Sequence, residues 1–151
     1  MKKLLSIILI SVLCLSLFAC NRNSIETNVK ATIIDNKGNT VELSFDEFLK
    51  INKDNEAKFE TLYKGASITV EDAVEKIDTG LLSTYSIHLE SGWKVEVLQS
   101  TYDLSDVNKG DKIRVTSKIN SIFLSIVTIS DYEGLPFTQD QEDHTVIEFI
   151  D

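Results

Sequence analysis

The sequence predicts a mainly β protein, in which a five-stranded Greek-key barrel is preceded by a β-hairpin and a helix. Between Ser44 and Gly65, apolar residues repeat at helical spacing. From Gly65 onward they alternate with polar residues, which is the period of a half-buried strand. The chain has one proline and no internal repeat or low-complexity segment, so a single compact domain is expected.

The hairpin is predicted from two β-rich runs around the turn sequence DNKGN, residues 35–39. The helix is predicted to begin at Ser44, because Ser44 and Glu47 have the spacing of a capping box. An apolar stripe then follows at helical spacing: Phe45, Phe48, Leu49, Phe59, Leu62 and Tyr63. We expect a break near residues 52–54 and an end at Gly65.

Five alternating segments are predicted to form the barrel strands: residues 65–77, 83–89, 93–98, 112–120 and 121–130. The polar segment between the third and the fourth has room for one helical turn. Five strands with a helical turn in that position is the order of the OB-fold, a partly open Greek-key barrel. A last edge strand is expected in the sequence TVIEFI, residues 145–150.

Four basic residues lie close together in the predicted fourth strand region: Lys109, Lys112, Arg114 and Lys118. In the strand itself, apolar residues at 113, 115 and 119 alternate with the basic ones. This alternation indicates the outward side of a half-buried strand, where lysine also discourages pairing with other chains.

Two motifs resemble a small exported family of OB-fold proteins described as tRNA-anticodon-domain-like. The first motif comprises Asn55, Glu56, Tyr63 and Gly65, and the second comprises Leu104, Val107, Gly110, Asp111, Ile113 and Val115. The resemblance covers residues 44–130 and implies the OB-fold, without a catalytic site. Family members often have a glycine closing the first strand and another in the fourth, where this chain has the sequence VEDAV and Ser117.

The first twenty residues have the features of an exported lipoprotein. Two lysines precede an apolar run that is shorter than the ~20 residues of a membrane-spanning helix. The run ends in LFAC, which resembles the bacterial lipoprotein lipobox, although Phe18 is bulkier than its usual occupant. The resemblance implies acylation of Cys20 by chains such as palmitate, and anchoring at the extracytoplasmic face of the cell membrane. The alternative is an ordinary signal peptide with an accidental cysteine.

Cleavage before Cys20 would change both the thiols and the charge of the chain. Cys14 would be lost and Cys20 acylated, so no disulfide is expected despite the exported address. Loss of two lysines would take the formal net charge from −9 to −11.

Most of that acidity lies in residues 131–151, which hold seven acidic residues and no lysine or arginine. Our hypothesis for this extension is that Asp140, Glu142 and Asp143 lie against the basic face of the fourth strand. The expected organisation of the whole chain is a signal peptide at 1–19, a lipidated tether at 20–29, a hairpin plus helix at 30–64, the barrel at 65–130 and an acidic extension at 131–151.

The residue types favour binding over catalysis. His88 and His144 are the two histidines, and neither lies in a pattern typical of a nucleophile relay. The segment DQEDH, residues 140–144, holds Asp140, Glu142, Asp143 and His144, but it lacks the glycine-shaped loop of a calcium site and is interpreted as a solvated acidic stretch. We therefore expect no enzyme activity, no metal and no cofactor.

Nucleic-acid binding is disfavoured. OB-folds bind single strands with a basic groove and stacking aromatic residues. Tyr85 and Trp93 lie in the relevant strands, but their alternation places them inside the barrel. A net acidic chain also lacks the charge that counterion release requires.

The predicted function is that of a lipid-anchored, non-catalytic binding module for a protein, a peptide or an envelope glycan. The candidate ligand-binding face comprises His88, Lys94, Glu96, Lys112 and Arg114. Two alternatives remain open: a structural component of the envelope, and an accessory or immunity-type lipoprotein that binds a partner exported by the same cell.

Overall fold

The computed structural model of the chain describes residues 29–80, 83–123, 126–133 and 142–150. The predicted signal peptide, Cys20 and most of the predicted tether lie outside these residues. Within the described ranges, neither helix has the length and apolar character needed to cross a membrane.

A hairpin and two short helices open the described chain. They are β1 (Lys30–Ile34), β2 (Thr40–Ser44), α1 (Phe45–Asp54) and α2 (Glu56–Tyr63). The predicted capping box is confirmed: the Ser44 hydroxyl accepts from the Glu47 N–H, and the Glu47 carboxylate accepts from the Ser44 N–H at 2.8 Å. The predicted break is also confirmed, and it lies at Asn55. The Asn55 N–H donates to the Ile51 carbonyl at the end of α1, and the Asn55 side chain caps α2 by accepting from the Lys58 N–H.

Five strands close into a barrel, which confirms the predicted fold class. They are β3 (Ser67–Thr79), β4 (Thr84–Leu89), β5 (Lys94–Leu98), β6 (Lys112–Phe123) and β7 (Ile126–Ile129). The strands follow one another around the barrel as β3, β4, β5, β7 and β6, and β6 returns to β3. The β5–β7 pairing is parallel and the others are antiparallel, as in an OB-fold.

Strand β3 is long enough to serve both halves of the barrel. Its first part pairs with β6 and its second part with β4, and a bulge lies between Val74 and Lys76. Before the bulge the even-numbered Ile68, Val70 and Val74 are buried, whereas beyond it the odd-numbered Ile77 packs against the core. A bulge bends the strand and increases its twist, which suits a strand that pairs in both halves of a barrel.

The helices cover the barrel at the turn between β4 and β5. The rings of Phe45 and Phe48 each lie 5.1 Å from the ring of Trp93, and Phe48 also packs on Phe59 at 4.6 Å. Gly92 permits this contact, because its φ is +102° and a Cβ there would lie 2.8 Å from the Phe45 ring. Buried aliphatic residues fill the barrel: Ile68, Val70, Val74, Ile87, Leu89, Val95, Val97, Ile113, Val115, Ile119, Val127 and Ile129.

Residues 99–111, between β5 and β6, form turns. They include one turn of helical spacing, since the Tyr102 N–H donates to the Leu98 carbonyl at 3.3 Å, but no helix longer than that turn. The physical reason lies in the side chains of this segment. The Asp103 carboxylate accepts from the Ser105 N–H at 3.0 Å, and the Asp111 carboxylate accepts from the Asn108 N–H at 2.8 Å. Such local bonds compete with helical hydrogen bonding.

Three short strands follow the barrel: β8 (Tyr132–Glu133), β9 (Glu142–Asp143) and β10 (Val146–Ile150). The predicted last edge strand is confirmed by β10, which pairs antiparallel with residues 112–116 of β6. Since β3 pairs with the same residues, β10 lies on the opposite side of β6.

The hypothesis for the acidic residues of this extension needs correction. Asp140 and the side chain of Glu142 lie outside what the structure describes, and Asp143 has other partners than the basic residues of β6. Its carboxylate instead accepts from the backbone N–H groups of Leu98 and Thr145. The acidic residues that reach basic residues of β6 are Glu148, which binds Arg114, and Asp131, which binds Lys118 at 2.9 Å. The Leu98 N–H is buried and would otherwise lack an acceptor. Its hydrogen bond to Asp143 therefore stabilises the fold more than an exposed ion pair with a lysine or arginine would.

Candidate functional site

The structure divides the five predicted site residues into two groups. His88, Lys94 and Glu96 lie on β4 and β5, and His88 is opposite Lys94 in the strand register. Lys112 and Arg114 lie on β6, across the first half of β3. The first group adjoins the second half of β3, beyond the bulge, so the two groups occupy different parts of the barrel surface.

The first group is part of a charged surface on β3, β4 and β5. We call this surface the outer face; its residues are Lys76, Asp78, His88, Lys94 and Glu96. Lys76 Nζ lies 2.5 Å from Asp78 Oδ2, and His88 Nε2 lies 3.2 Å from the same oxygen. Lys94 Nζ lies 2.6 Å from Glu96 Oε1. A lysine and a carboxylate thus lie two residues apart on β3 and again on β5. The register aligns Lys76, His88 and Lys94 in one row across the three strands.

The two ion pairs of the outer face differ in how far their side chains are exposed to water. The side chains of Lys76 and Asp78 are about half exposed, at 54% and 50%, whereas those of Lys94 and Glu96 are only 22% and 24% exposed. An ion pair that is partly removed from water is less screened than a fully exposed one. The Lys94–Glu96 pair is therefore the better-defined feature for a ligand to meet.

His88 is held mainly in its neutral form. Partial burial lowers the pKa of His88 below its ordinary value of 6.5, and the positive charges of Lys76 and Lys94 lower it further. Asp78 acts in the opposite direction. The hydrogen bond from Lys76 lowers the pKa of Asp78, with His88 adding to the effect. At neutral pH the outer face therefore presents two ammonium groups, two carboxylates and a neutral imidazole.

The aromatic residues of this region face inward, as the alternation predicts. Trp93 is fully buried, and Tyr85 packs against the core. The described residues of β4 and β5 consequently offer no stacking platform on the outer face, and stacking is what single-stranded nucleic acid needs.

Sequence reasoning missed Lys76 and Asp78 as members of the outer face. Alternation along β3 assigns the even-numbered residues Ile68, Val70 and Val74 to the interior, and it would place Lys76 and Asp78 there too. The bulge after Val74 reverses this parity and turns both side chains outward. The sequence marks that reversal only by the three-residue step from Val74 to Ile77, where the preceding apolar residues are an even number apart.

Arg114 links three strands in the second group. Its Nε lies 2.6 Å from Glu71 Oε1 on β3, and its Nη1 lies 3.1 Å from Glu148 Oε2 on β10. These carboxylates raise the pKa of Arg114. Lys112, at the start of β6, is exposed, and the predicted outward position of both basic residues is confirmed.

The described residues hold no group of three side chains suited to a metal ion. A small pocket of about 90 Å³ lies between the helices and β6. Its lining residues are Asn52, Glu56, Phe59, Glu60, Lys64, Ile119, Asn120 and Ser121. This volume is well below the roughly 300–1,000 Å³ of a typical small-molecule site, so the outer face remains the better candidate.

The closed barrel, its strand order and the covering helices define an OB-fold protein. Within that class, the chain belongs to the tRNA_anti-like family, whose model matches residues 1–131. The match ends before β9 and β10. Searches of curated proteins and of solved structures find no match to the chain.

Proposed function

We propose that this protein is a lipid-anchored, extracytoplasmic binding module without catalytic activity, and that its outer face contacts a protein or peptide ligand. The observation that carries the proposal is the lysine–carboxylate pair on each of β3 and β5, on either side of His88 on β4, with the Lys94–Glu96 pair the more sheltered of the two. The second and third strands of OB-fold barrels are the surface on which this fold usually binds ligands.

The balance of charge favours a polypeptide ligand. The outer face carries two lysines and two carboxylates, and His88 is mainly neutral. A polyanion such as a nucleic acid or an anionic envelope glycan requires an excess of positive charge, and the whole chain is at −9. A protein surface of mixed charge matches this pattern through complementary pairs. A neutral glycan is the alternative ligand that the test below separates.

The contacts of His88 support a non-catalytic role. Among the described residues its side chain contacts the carboxylate of Asp78, and no hydroxyl or thiol group donates to it. A histidine acting as a general base needs a nucleophile or a substrate proton within hydrogen-bond reach. His88 is therefore assigned to ligand contact, as a neutral donor or acceptor.

The N-terminal sequence supports the anchor. Acyl chains on Cys20 would hold the chain at the membrane, since two or three chains bind stably where one is marginal. Residues 20–29 are mostly polar, which suits a tether between the lipid and β1. The barrel would then meet its ligand at the outer surface of the membrane.

The test is co-isolation from crosslinked membranes of cells that make the full chain. The test variant is K94A/E96A, which removes one cation and one anion from the outer face. The control is K30A/E42A, which removes the same charges from exposed positions of the hairpin. We expect one stoichiometric protein partner with the wild-type chain and the control, and at least a tenfold loss with the test variant.

Other results would contradict the proposal in distinguishable ways. Recovery of no partner, together with ordered assemblies of the chain, would favour a structural envelope component. A partner that is retained by K94A/E96A would place the interface elsewhere. Retention of glycan alone, lost in the test variant, would make an envelope glycan the ligand. A partner exported by the same cell, and bound through the outer face, would identify the accessory or immunity-type role.

A further inference from the structure

Strand β10 occupies the edge of β6 at residues 112–116. On one side these residues pair with β3, within the barrel, and on the other side with β10. Strand β10 is not a member of the barrel, and the family match ends at residue 131, before β10 begins. The matched domain thus leaves this edge of β6 open, and the C-terminal extension fills it.

Two residues of β10, Ile147 and Glu148, make side-chain contacts across this edge. Glu148 lies opposite Arg114 and binds it at 3.1 Å, while Ile147 lies opposite Val115 and packs against the core. Arg114 thereby meets an acidic residue that is flanked by Ile147 and Phe149. Main-chain pairing supplies the rest of the contact, as in strand addition to a sheet edge.

Two of the five side chains of β10 are half-buried, those of Ile147 and Ile150, and the other three are exposed. Val146 and Phe149 are 51% and 61% exposed, so they bury little apolar surface. The Glu148–Arg114 pair is exposed, and such pairs contribute little to stability. Arg114 also keeps Glu71 as a partner if Glu148 leaves.

The residues just before β10 are, in contrast, firmly fixed. Thr145 is 2% exposed, its hydroxyl lies 2.9 Å from the Ser117 hydroxyl, and its carbonyl accepts from the Tyr102 hydroxyl. The Asp143 carboxylate joins this anchor to Leu98. Strand β10 can therefore leave the edge while the chain stays attached at Thr145. The attachment also keeps β10 close by, at an effective concentration on the order of millimolar.

We propose that the edge of β6 at residues 112–116 is a strand-acceptor site for an extended segment of a partner protein. The segment offers an acidic residue opposite Arg114 and an aliphatic residue opposite Val115, and β10 occupies the site in its absence. This surface is separate from the outer face, so the inference does not depend on the proposed function.

A second copy of the chain is a poorer occupant than a different protein. Each β10 is fastened beside its own β6 through the buried Thr145. Copies at a formal net charge of −9 also repel one another. The expected occupant is therefore a partner segment that, like β10, carries one acidic residue among apolar ones.

The test uses the full chain and a fluorescein-labelled peptide with the sequence of residues 144–151. In E148K, like charges face each other at Arg114, which loosens β10 and frees the edge. We expect the peptide to bind E148K at least tenfold more tightly than wild type, with new amide protection at residues 112–116. The control E42K makes the same charge change on β2, at the other edge of the sheet, and should bind as wild type does. A peptide carrying lysine in place of its glutamate should bind E148K at least tenfold more weakly.

Equal peptide affinity for E148K and wild type would overturn the proposal. A second measurement is independent of any variant: the amides of residues 146–150 in the wild-type chain should exchange at least tenfold faster than those of β3. Exchange of both strands at one common rate would show that β10 does not leave separately. Dimerisation of the full chain that is lost in E148K would make a second copy the occupant and would also overturn the assignment to a partner.

Discussion

Asp143 accepts a hydrogen bond from the backbone N–H of Leu98 over 2.8 Å, and this bond fastens the C-terminal extension to the end of β5. Leu98 is 1% exposed, so water cannot replace the carboxylate as the acceptor. The other carboxylate oxygen of Asp143 accepts from the Thr145 N–H at 3.0 Å. One side chain thus satisfies a buried amide of the barrel and shapes the turn that leads into β10.

Replacing this carboxylate should destabilise the protein measurably. D143A leaves the Leu98 N–H buried without an acceptor, which is expected to lower the free energy of unfolding by about 1–3 kcal/mol. D143N retains an acceptor oxygen and should lose less. Urea denaturation measures both, with D106A as a control that removes an exposed carboxylate in the loop before β6. A loss in D106A as large as that in D143A would contradict the assignment.

The contact between Gly92 and Phe45 gives a second prediction. Both Gly92 and Gly38 have positive φ, at +102° and +83°, so alanine is strained at either position. At Gly38 nothing lies within 4 Å of an added Cβ, whereas at Gly92 the Phe45 ring lies at 2.8 Å. G92A should therefore be more destabilising than G38A by roughly 1–3 kcal/mol, the usual cost of overpacking.

Thermal or urea unfolding of the two glycine variants makes this comparison directly. In the double variant G92A/F45A, the loss in free energy of unfolding should be smaller than the sum of the two single losses, because removal of the Phe45 ring relieves the overlap. Equal losses in G92A and G38A would show that the backbone angle alone decides the cost.

The lowered pKa of His88 predicts a loss of stability in mild acid. Because the folded-state pKa lies below 6.5, the unfolded chain binds the proton first as the pH falls. The free energy of unfolding should therefore decline as the pH falls from about 7 through the folded-state pKa. H88Q should remove this part of the decline. Urea denaturation of both proteins at several pH values from 7.5 to about 5 measures it, and equal slopes would contradict the account.

Asp78 acts in a separate and lower pH window. Its folded-state pKa is below the ordinary 3.8, so the stability it contributes is present above that value. That contribution is lost as the pH falls further, through the folded-state pKa. The loss should persist in H88Q as long as Lys76 remains, which distinguishes the two groups.

Local rules were enough to predict much of the fold. The capping residue Ser44 and the change from helical to alternating period at Gly65 identify the first elements, and Gly65 indeed has a φ of +80°. Alternation in β4, β5 and β6 places Trp93 and Val115 inside, as observed. These features depend on neighbouring residues, so a single sequence contains them.

The remaining features depend on contacts between distant residues. The bulge after Val74 arises where β3 changes its partner from β6 to β4, and it alone brings Lys76 and Asp78 onto the outer face. The position of Asp143 follows from a buried N–H at Leu98, 45 residues earlier in the chain. The Asp143 bond leaves no periodic signal, and the bulge leaves only the three-residue step from Val74 to Ile77, which is why the site and the tail were predicted only in part.

The lipid anchor gives a prediction that depends on a single residue. In cells fed a palmitate analogue, the full chain should be labelled and should sediment with membranes. C20S should lose the label and leave the membrane fraction, because it lacks the thiol that we propose is acylated. The matched variant C14S should behave as wild type. Labelling that survives in C20S would contradict acylation at this position.

The central claim is that the outer face is the ligand-binding surface, and a photo-crosslinking amino acid placed at position 88 tests it most directly. The account predicts one discrete crosslinked protein in intact cells, lost when K94A/E96A is added and retained when K30A/E42A is added. The same amino acid at position 42, on the hairpin, should give no such product. An identical product from both positions, or a product at position 88 that survives K94A/E96A, would contradict the claim.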